Sequence, residues 1–149
     1  MEWRFHQKIW PIKGGNGSAL VIGKGSQLIA EGTADAPIVF PSALPEGSRA
    51  RGDWGGVVLL GEAPNNLQTG TGAAEGLDAN DPSYQYGGSD PTSSCGSLKY
   101  VRVEFAGFEL TKDNELNGIT FYSCGSGTRA RRSCTAWTGS ATGGPSPPA

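Results

Sequence analysis

Histidine is nearly absent. His6 is the only one among 149 residues, and no Cys-x-x-Cys pair stands beside it. A zinc site of the usual His/Cys kind is therefore not expected. No Gly-x-Ser-x-Gly occurs. A Ser-His-Asp triad would have to take its imidazole from His6 in the terminal segment, which is a poor basis for serine hydrolysis. No apolar run approaches a membrane span, so no membrane partner is expected. The N-terminus lacks the charged-then-apolar pattern of a secretory leader. Two-residue hairpin signals are missing as well. Asn16-Gly17 precedes the first clear apolar run and Asn117-Gly118 lies inside another, so neither joins two neighbouring runs.

Charge is missing locally rather than globally. The net charge is −2, which gives no drive toward nucleic acid. Residues 61–96 hold Glu62, Glu75, Asp78, Asp81 and Asp90 but no base. Residues 119–149 hold Arg129, Arg131 and Arg132 but no acid. The first is an acidic loop region and the second a basic tail.

What remains is a chain of short β-type runs. With 24 Gly and 10 Pro, turns are frequent and helix is scarce. Ala19–Ile22, Gln27–Ala30, Pro37–Phe40, Gly56–Leu60, Leu98–Phe105 and Asn117–Tyr122 are rich in β-branched or aromatic residues and bounded by turn formers. No helical pattern separates the first three. Parallel pairing normally needs a crossover helix. A β-solenoid avoids it, because the chain makes a full turn before pairing with itself. Val39 to Val57 and Val101 to Ile119 are each 18 residues, which matches one coil with short corners. The expected fold is all-β, a parallel β-helix, with a β-sandwich of the same strands as the alternative.

The strand signal is cleanest at Lys99–Phe105. Tyr100, Arg102 and Glu104 alternate with Val101, Val103 and Phe105. The apolar set is expected to point inward near Val57 and Ile119, in a middle layer of the stack. Residues 1–17 read as an N-terminal cap or edge strand, 18–128 as the solenoid, and 61–96 as a long excursion from it. Residues 129–149, small, basic and Pro-rich, read as a disordered tail.

Three sets of residues carry candidate chemistry. Asp78, Asp81 and Asp90 offer hard oxygens for calcium, or serve only as turn-forming residues of a solvated loop. Arg102, Glu104 and Asp53 are the candidates for polysaccharide lyase or hydrolase chemistry, in which a base removes a proton and an arginine holds an acid sugar. The plain alternative is an exposed Arg102–Glu104 pair with Asp53 at a corner. Tyr84, Tyr86, Tyr100 and Trp54, as exposed aromatics, suit sugar stacking. Binding without catalysis is the preferred reading, in surface display, adhesion or glycan recognition, with a polysaccharide as partner.

Several stretches together resemble one known family. They are Glu31-Gly-Thr-Ala-Asp-Ala-Pro-Ile-Val-Phe40, Ser48-Arg-Ala-Arg-Gly-Asp-Trp-Gly-Gly-Val-Val-Leu-Leu-Gly61, Glu75-Gly-Leu77, Gln85-Tyr-Gly-Gly88, Lys99–Gly107 and Asn114-Glu-Leu-Asn-Gly118. They resemble bacterial secreted or lipoprotein-type right-handed parallel β-helix proteins with a pectate-lyase-like fold, over roughly residues 18–128. The resemblance implies the solenoid, an extracellular or outer-surface origin, and little chemistry. It also implies a disulfide between Cys95 and Cys124, stapling neighbouring coils and leaving Cys134 free. Two buried thiols are the alternative reading of that pair. Members of the family have more coils after Gly125–Thr128, so the chain reads as a truncated copy. A short solenoid has open ends, and self-association through them is expected.

Overall fold

The computed structural model describes residues 1–5, 14–15, 17–111, 114–130 and 134–137. His6, Pro11 and the tail beyond Trp137 lie outside the described residues. The strands, in chain order, are β1 (Glu2–Phe5), β2 (Ala19–Ile22), β3 (Gln27–Glu31), β4 (Ile38–Phe40), β5 (Gly56–Leu60), β6 (Gly72–Ala73), β7 (Gln85–Tyr86), β8 (Gly96–Lys99), β9 (Val101–Glu104), β10 (Glu109–Thr111), β11 (Asn114–Glu115), β12 (Ile119–Tyr122), β13 (Arg129–Ala130) and β14 (Thr135–Trp137).

Nine of these strands make three coils. β2, β3 and β4 form the first coil, β5, β8 and β9 the second, and β12, β13 and β14 the third. Each coil gives one strand to each of three parallel sheets, ordered β2-β5-β12, β1-β3-β8-β13 and β4-β9-β14. A parallel partner on the next coil leaves no place for the β-sandwich alternative, whose sheets are antiparallel. β1 adds a fourth strand beside β3, pairing Glu2 with Gln27 through Phe5 with Ala30.

The register explains the core. Leu20 stands beside Val57 and Val57 beside Ile119; Ile22 stands beside Leu59 and Leu59 beside Phe121. Ala30, Leu98 and Ala130 form a row on the second sheet, and Phe40, Val103 and Ala136 one on the third. Side chains alternate across a strand, so an in-register stack places like with like in the lumen. Val57, Leu59, Leu98, Val101 and Val103 are fully buried there.

The 18-residue spacings measure something other than a coil. Val39 lies on β4 of the third sheet and Val57 on β5 of the first; Val101 and Ile119 span the same pair of sheets one coil on. Both intervals record one repeated corner. The Lys99–Phe105 run is likewise not one strand. Tyr100 adopts φ 49° and Phe105 φ 61°. These left-handed residues turn the chain from β8 onto β9 and away again. Val101 and Val103 do point inward, packed with Val57 and Ile119, and β9 is the middle strand of its sheet.

The basic stretch also behaves differently from its composition. Arg129–Ala130 and Thr135–Trp137 pair in parallel with β8 and β9. Composition alone reads as disorder there, but the preceding coil presents a ready ladder of backbone groups. The disulfide links Cys95 and Cys124, with Cα atoms 5.6 Å apart, and Cys134 is a free thiol. Cys95 leads into β8 of the second coil and Cys124 follows β12 of the third, so the bond joins neighbouring coils.

Candidate binding surface

Gly56-Val-Val-Leu-Leu60 is buried at every position. Alternation puts Val57 and Leu59 in the lumen, so Val58 and Leu60 must point out of the solenoid. They are covered there. Val58, Leu60, Ala74 and Leu116 form a second apolar cluster, flanked by Ala19, Val21, Leu77, Tyr86 and Tyr122. Ala74, Leu77 and Tyr86 belong to the 61–95 excursion. The excursion is therefore a roof over the outer face of the sheet β2-β5-β12.

Backbone hydrogen bonds fix this roof at both ends. Where it leaves β5, Gly61 N donates to Tyr122 O at 2.8 Å and Ala63 N to Ser123 O at 2.9 Å. It turns back through the antiparallel pair β6–β7, and Gly87 N donates to Gly61 O at 2.9 Å. Before entering β8 it runs along the third coil, where Ser126 N donates to Pro91 O and Cys95 N to Thr128 Oγ1, each at 2.9 Å. From the other side, Lys24 Nζ reaches Gly87 O at 3.4 Å.

The roof gathers aromatic rings. Tyr86 stacks on Tyr122 with ring centroids 4.6 Å apart and planes 19° from parallel. Both rings are half-buried, as is Tyr84, whose carbonyl accepts from Ala74 N at 3.0 Å. Gly72 allows the close approach: a Cβ there would lie 2.8 Å from the Tyr86 phenol oxygen. Leu67, beside Gly72, is 40% exposed. Around this apolar strip Glu62, Glu75, Asp78 and Asp90 are exposed to solvent.

Burial raises the pKa of the Tyr122 phenol, with the carboxylate of Glu75 and the Tyr86 phenol adding to the effect; the Glu75 N–H donated to its oxygen works the other way. A raised phenol pKa favours the folded state while the group is neutral. That contribution is complete below the ordinary value of about 10. It is lost as the pH climbs through the raised folded value. Among the four tyrosines, Tyr122 is expected to titrate late by phenolate absorbance. Tyr122→Phe should remove that late step, and a titration curve unchanged by the substitution would refute the assignment.

The other candidates are scattered or engaged. Trp54 is 1% exposed. It is not a surface aromatic, because its ring packs over Gly14 and its Nε1 donates to Glu104 O at 2.8 Å. Tyr100 sits half-exposed at its corner, away from the roof, with Lys99 Nζ 5.7 Å from its ring centre. Arg102 donates to Glu104 Oε1 through Nε at 3.0 Å and through Nη2 as well. Glu104 keeps only 13% of its side chain exposed in this ion pair. Asp53 stands one coil away, where Phe105 O accepts from its N–H at 3.0 Å, but its carboxylate accepts from Ala50 N within its own turn.

The acids expected to ligate calcium do not converge either. Asp78 accepts from Asn80 N, Asp81 from Ser83 N, and Asp90 from Thr92 N and Oγ1. These are local Asx turns. The Thr92 hydroxyl and N–H lower the Asp90 pKa, as expected for a carboxylate employed in a turn. Among the described residues no group of three or more His, Cys, Asp or Glu is placed to hold a metal.

A profile of the pectate-lyase-like β-helix domain matches residues 7–143. The chain belongs to this family. The pectate-lyase-like β-helix domain thus covers nearly all of the chain, including the excursion. Neither curated proteins nor solved structures gave a match. A disulfide within such a domain fits an extracellular protein.

Tyr122 is the residue that the sequence reading left out of the candidate surface. A signal for it existed. The unbroken apolar run of β5 does not alternate, which means burial on both faces and hence a covering layer. Any outward residue of the neighbouring strand would then meet that layer.

Proposed function

We propose that this β-helix domain is a cell-surface or secreted glycan-binding module that acts without cleaving its ligand. The observation that carries this reading is the roof, which assembles Tyr86 and Tyr122 as a stacked pair, with Tyr84 half-buried two residues earlier in the same segment. A sugar ring presents C–H groups to an aromatic face, and such stacking combines apolar burial with directional preference. The carboxylates considered for catalysis support the same reading. Glu104 is held by Arg102, and Asp53 closes its own turn.

The charge of the roof selects among glycans. It carries five carboxylates and no lysine or arginine between residues 61 and 96. A polyuronate would approach this surface against like charge and find no base within the roof to pair with its own carboxylates. The preferred ligand is a neutral polysaccharide. A binding panel should show affinity for neutral oligosaccharides, and polygalacturonate should bind weakly with or without calcium. Tyr86→Ala should weaken neutral-glycan binding about tenfold while leaving the fold intact. Absence of binding to every glycan, or cleavage of any of them, would overturn the reading. Preference for polygalacturonate would overturn the selectivity alone.

A further inference from the structure

Tyr86 and Tyr122 come from different parts of the molecule. Tyr86 is the last residue of β7 in the roof, and Tyr122 is the last residue of β12 in the third coil. Their rings stack with centroids 4.6 Å apart and planes 19° from parallel. The phenol ends also share one short stretch of the roof. A Cβ at Gly72 would lie 2.8 Å from both Cζ and the oxygen of Tyr86, and the Tyr122 oxygen accepts from Glu75 N at 3.3 Å. The Tyr86 phenol adds to the rise in the Tyr122 pKa, as a neighbouring phenol should. Both side chains are half-buried.

This arrangement suits covalent coupling of two phenols. One-electron oxidation of a tyrosine, with loss of its phenolic proton, leaves a neutral radical. The unpaired electron resides on the oxygen and on the Cε carbons beside Cζ, in orbitals perpendicular to the ring plane. Stacked rings point these orbitals at each other. Holding two reacting groups in contact also turns an encounter between molecules into a step within one, at an effective concentration far above that of dissolved protein. Partial burial favours the same outcome. It leaves an edge open to oxidation while shielding the rings from tyrosines of other chains.

We propose that Tyr86 and Tyr122 form an oxidative modification site, at which a dityrosine bond locks the roof onto the third coil. The co-reactant is a peroxide, used through a one-electron oxidant of the haem-peroxidase class. Each phenol gives up one electron and one proton. The two radicals then join through a bond between a Cε carbon of Tyr86 and a Cε carbon of Tyr122. The hydrogen on each joined carbon moves to the oxygen of its own ring, which restores both aromatic systems. The chain loses two hydrogen atoms in all, and hydrogen peroxide takes them up to leave as two waters. The Cys95–Cys124 disulfide already ties the end of the roof to the third coil by a reducible bond. The dityrosine bond would add a link that reductants do not open, in the same oxidising setting that a disulfide requires. It does not depend on what the roof binds.

The test is treatment of the purified full chain with a haem peroxidase and limiting hydrogen peroxide. Dityrosine fluorescence, intact mass and denaturing electrophoresis are the readouts. The expected product runs as a single chain, is lighter by two hydrogen atoms, and on digestion yields a peptide pair joined at Tyr86 and Tyr122. Tyr86→Phe and Tyr122→Phe each keep a ring in the stack and remove its phenol. Either should lower the fluorescence about tenfold or more, with circular dichroism showing that each variant remains folded. Tyr100→Phe, at a corner away from the roof, should leave the fluorescence unchanged. A parent chain that gains no dityrosine, fluorescence retained in either folded roof variant, or coupling found only between chains overturns the proposal.

Discussion

Replacing both Cys95 and Cys124 by serine is expected to lower stability by about 3–4 kcal/mol. The bond closes a loop between residues 29 apart in sequence. In the chain-entropy account, a loop of this size restricts the unfolded ensemble by about that amount. For a chain of 149 residues each kcal/mol moves the melting temperature by about 2–4 °C, so a fall of roughly 10 °C is expected. The loss should also be local. The disulfide ties the end of the roof to the third coil, alongside the bonds from Ser126 N to Pro91 O and from Cys95 N to Thr128 Oγ1. Hydrogen exchange should therefore rise first in residues 61–95 and around β12, with β3 and β4 little affected. A melting temperature within a degree or two of the parent would show that the hydrogen bonds alone fix the roof.

That roof marks where the sequence was legible and where it was not. The apolar runs located the solenoid strands well, because β-branched residues between turn formers carry their own signal. Coil length was not legible. Corners differ too much: β8 and β9 are separated by Tyr100 alone, whereas β5 and β8 are separated by the whole excursion. A fixed period cannot be read from such a chain. The corners at Tyr100 and Phe105 were hidden for a related reason. Both are aromatic residues with positive φ, and aromatics at alternating positions read as strand. For β13 and β14 the deciding information lies in the neighbouring coil, which supplies the pairing edge, rather than in the local composition.

The candidate surface was legible in part. Tyr84 and Tyr86 belong to it, whereas Tyr100 and Trp54 do not. Spacing in sequence says nothing about which aromatic in a solenoid corner turns inward. The carboxylates failed as a metal set for a physical reason: an Asp followed two residues later by a backbone N–H closes its own turn at little cost. Asp78, Asp81 and Asp90 all do so. The disulfide, expected only through a family resemblance, lies where two coils come together.

Trp54→Ala is expected to cost about 3–5 kcal/mol, the range for deleting a fully buried tryptophan. Trp54 is among the largest fully buried side chains and sits at the corner that carries the first coil into the second. Two contacts hold it. A Cβ at Gly14 would come within 2.1 Å of the indole ring, so only glycine allows the ring to lie against the backbone there. The indole N–H donates to Glu104 O at 2.8 Å. These separate by substitution. Trp54→Phe keeps most of the apolar volume and leaves the Glu104 carbonyl without its donor, so a smaller loss of about 1–3 kcal/mol is expected. Gly14→Ala keeps the donor and pushes the ring away. Chemical denaturation of the three variants checks the order. If Trp54→Phe proves as damaging as Trp54→Ala, the hydrogen bond rather than packing holds the corner. If Gly14→Ala is neutral, the ring does not rest on Gly14. The corner also sets the register of the strands that follow it: Trp54 bridges Ala106, and Asp53 N donates to Phe105 O. A displaced Trp54 should therefore loosen β5 and, through Val58 and Leu60, the roof that rests on them.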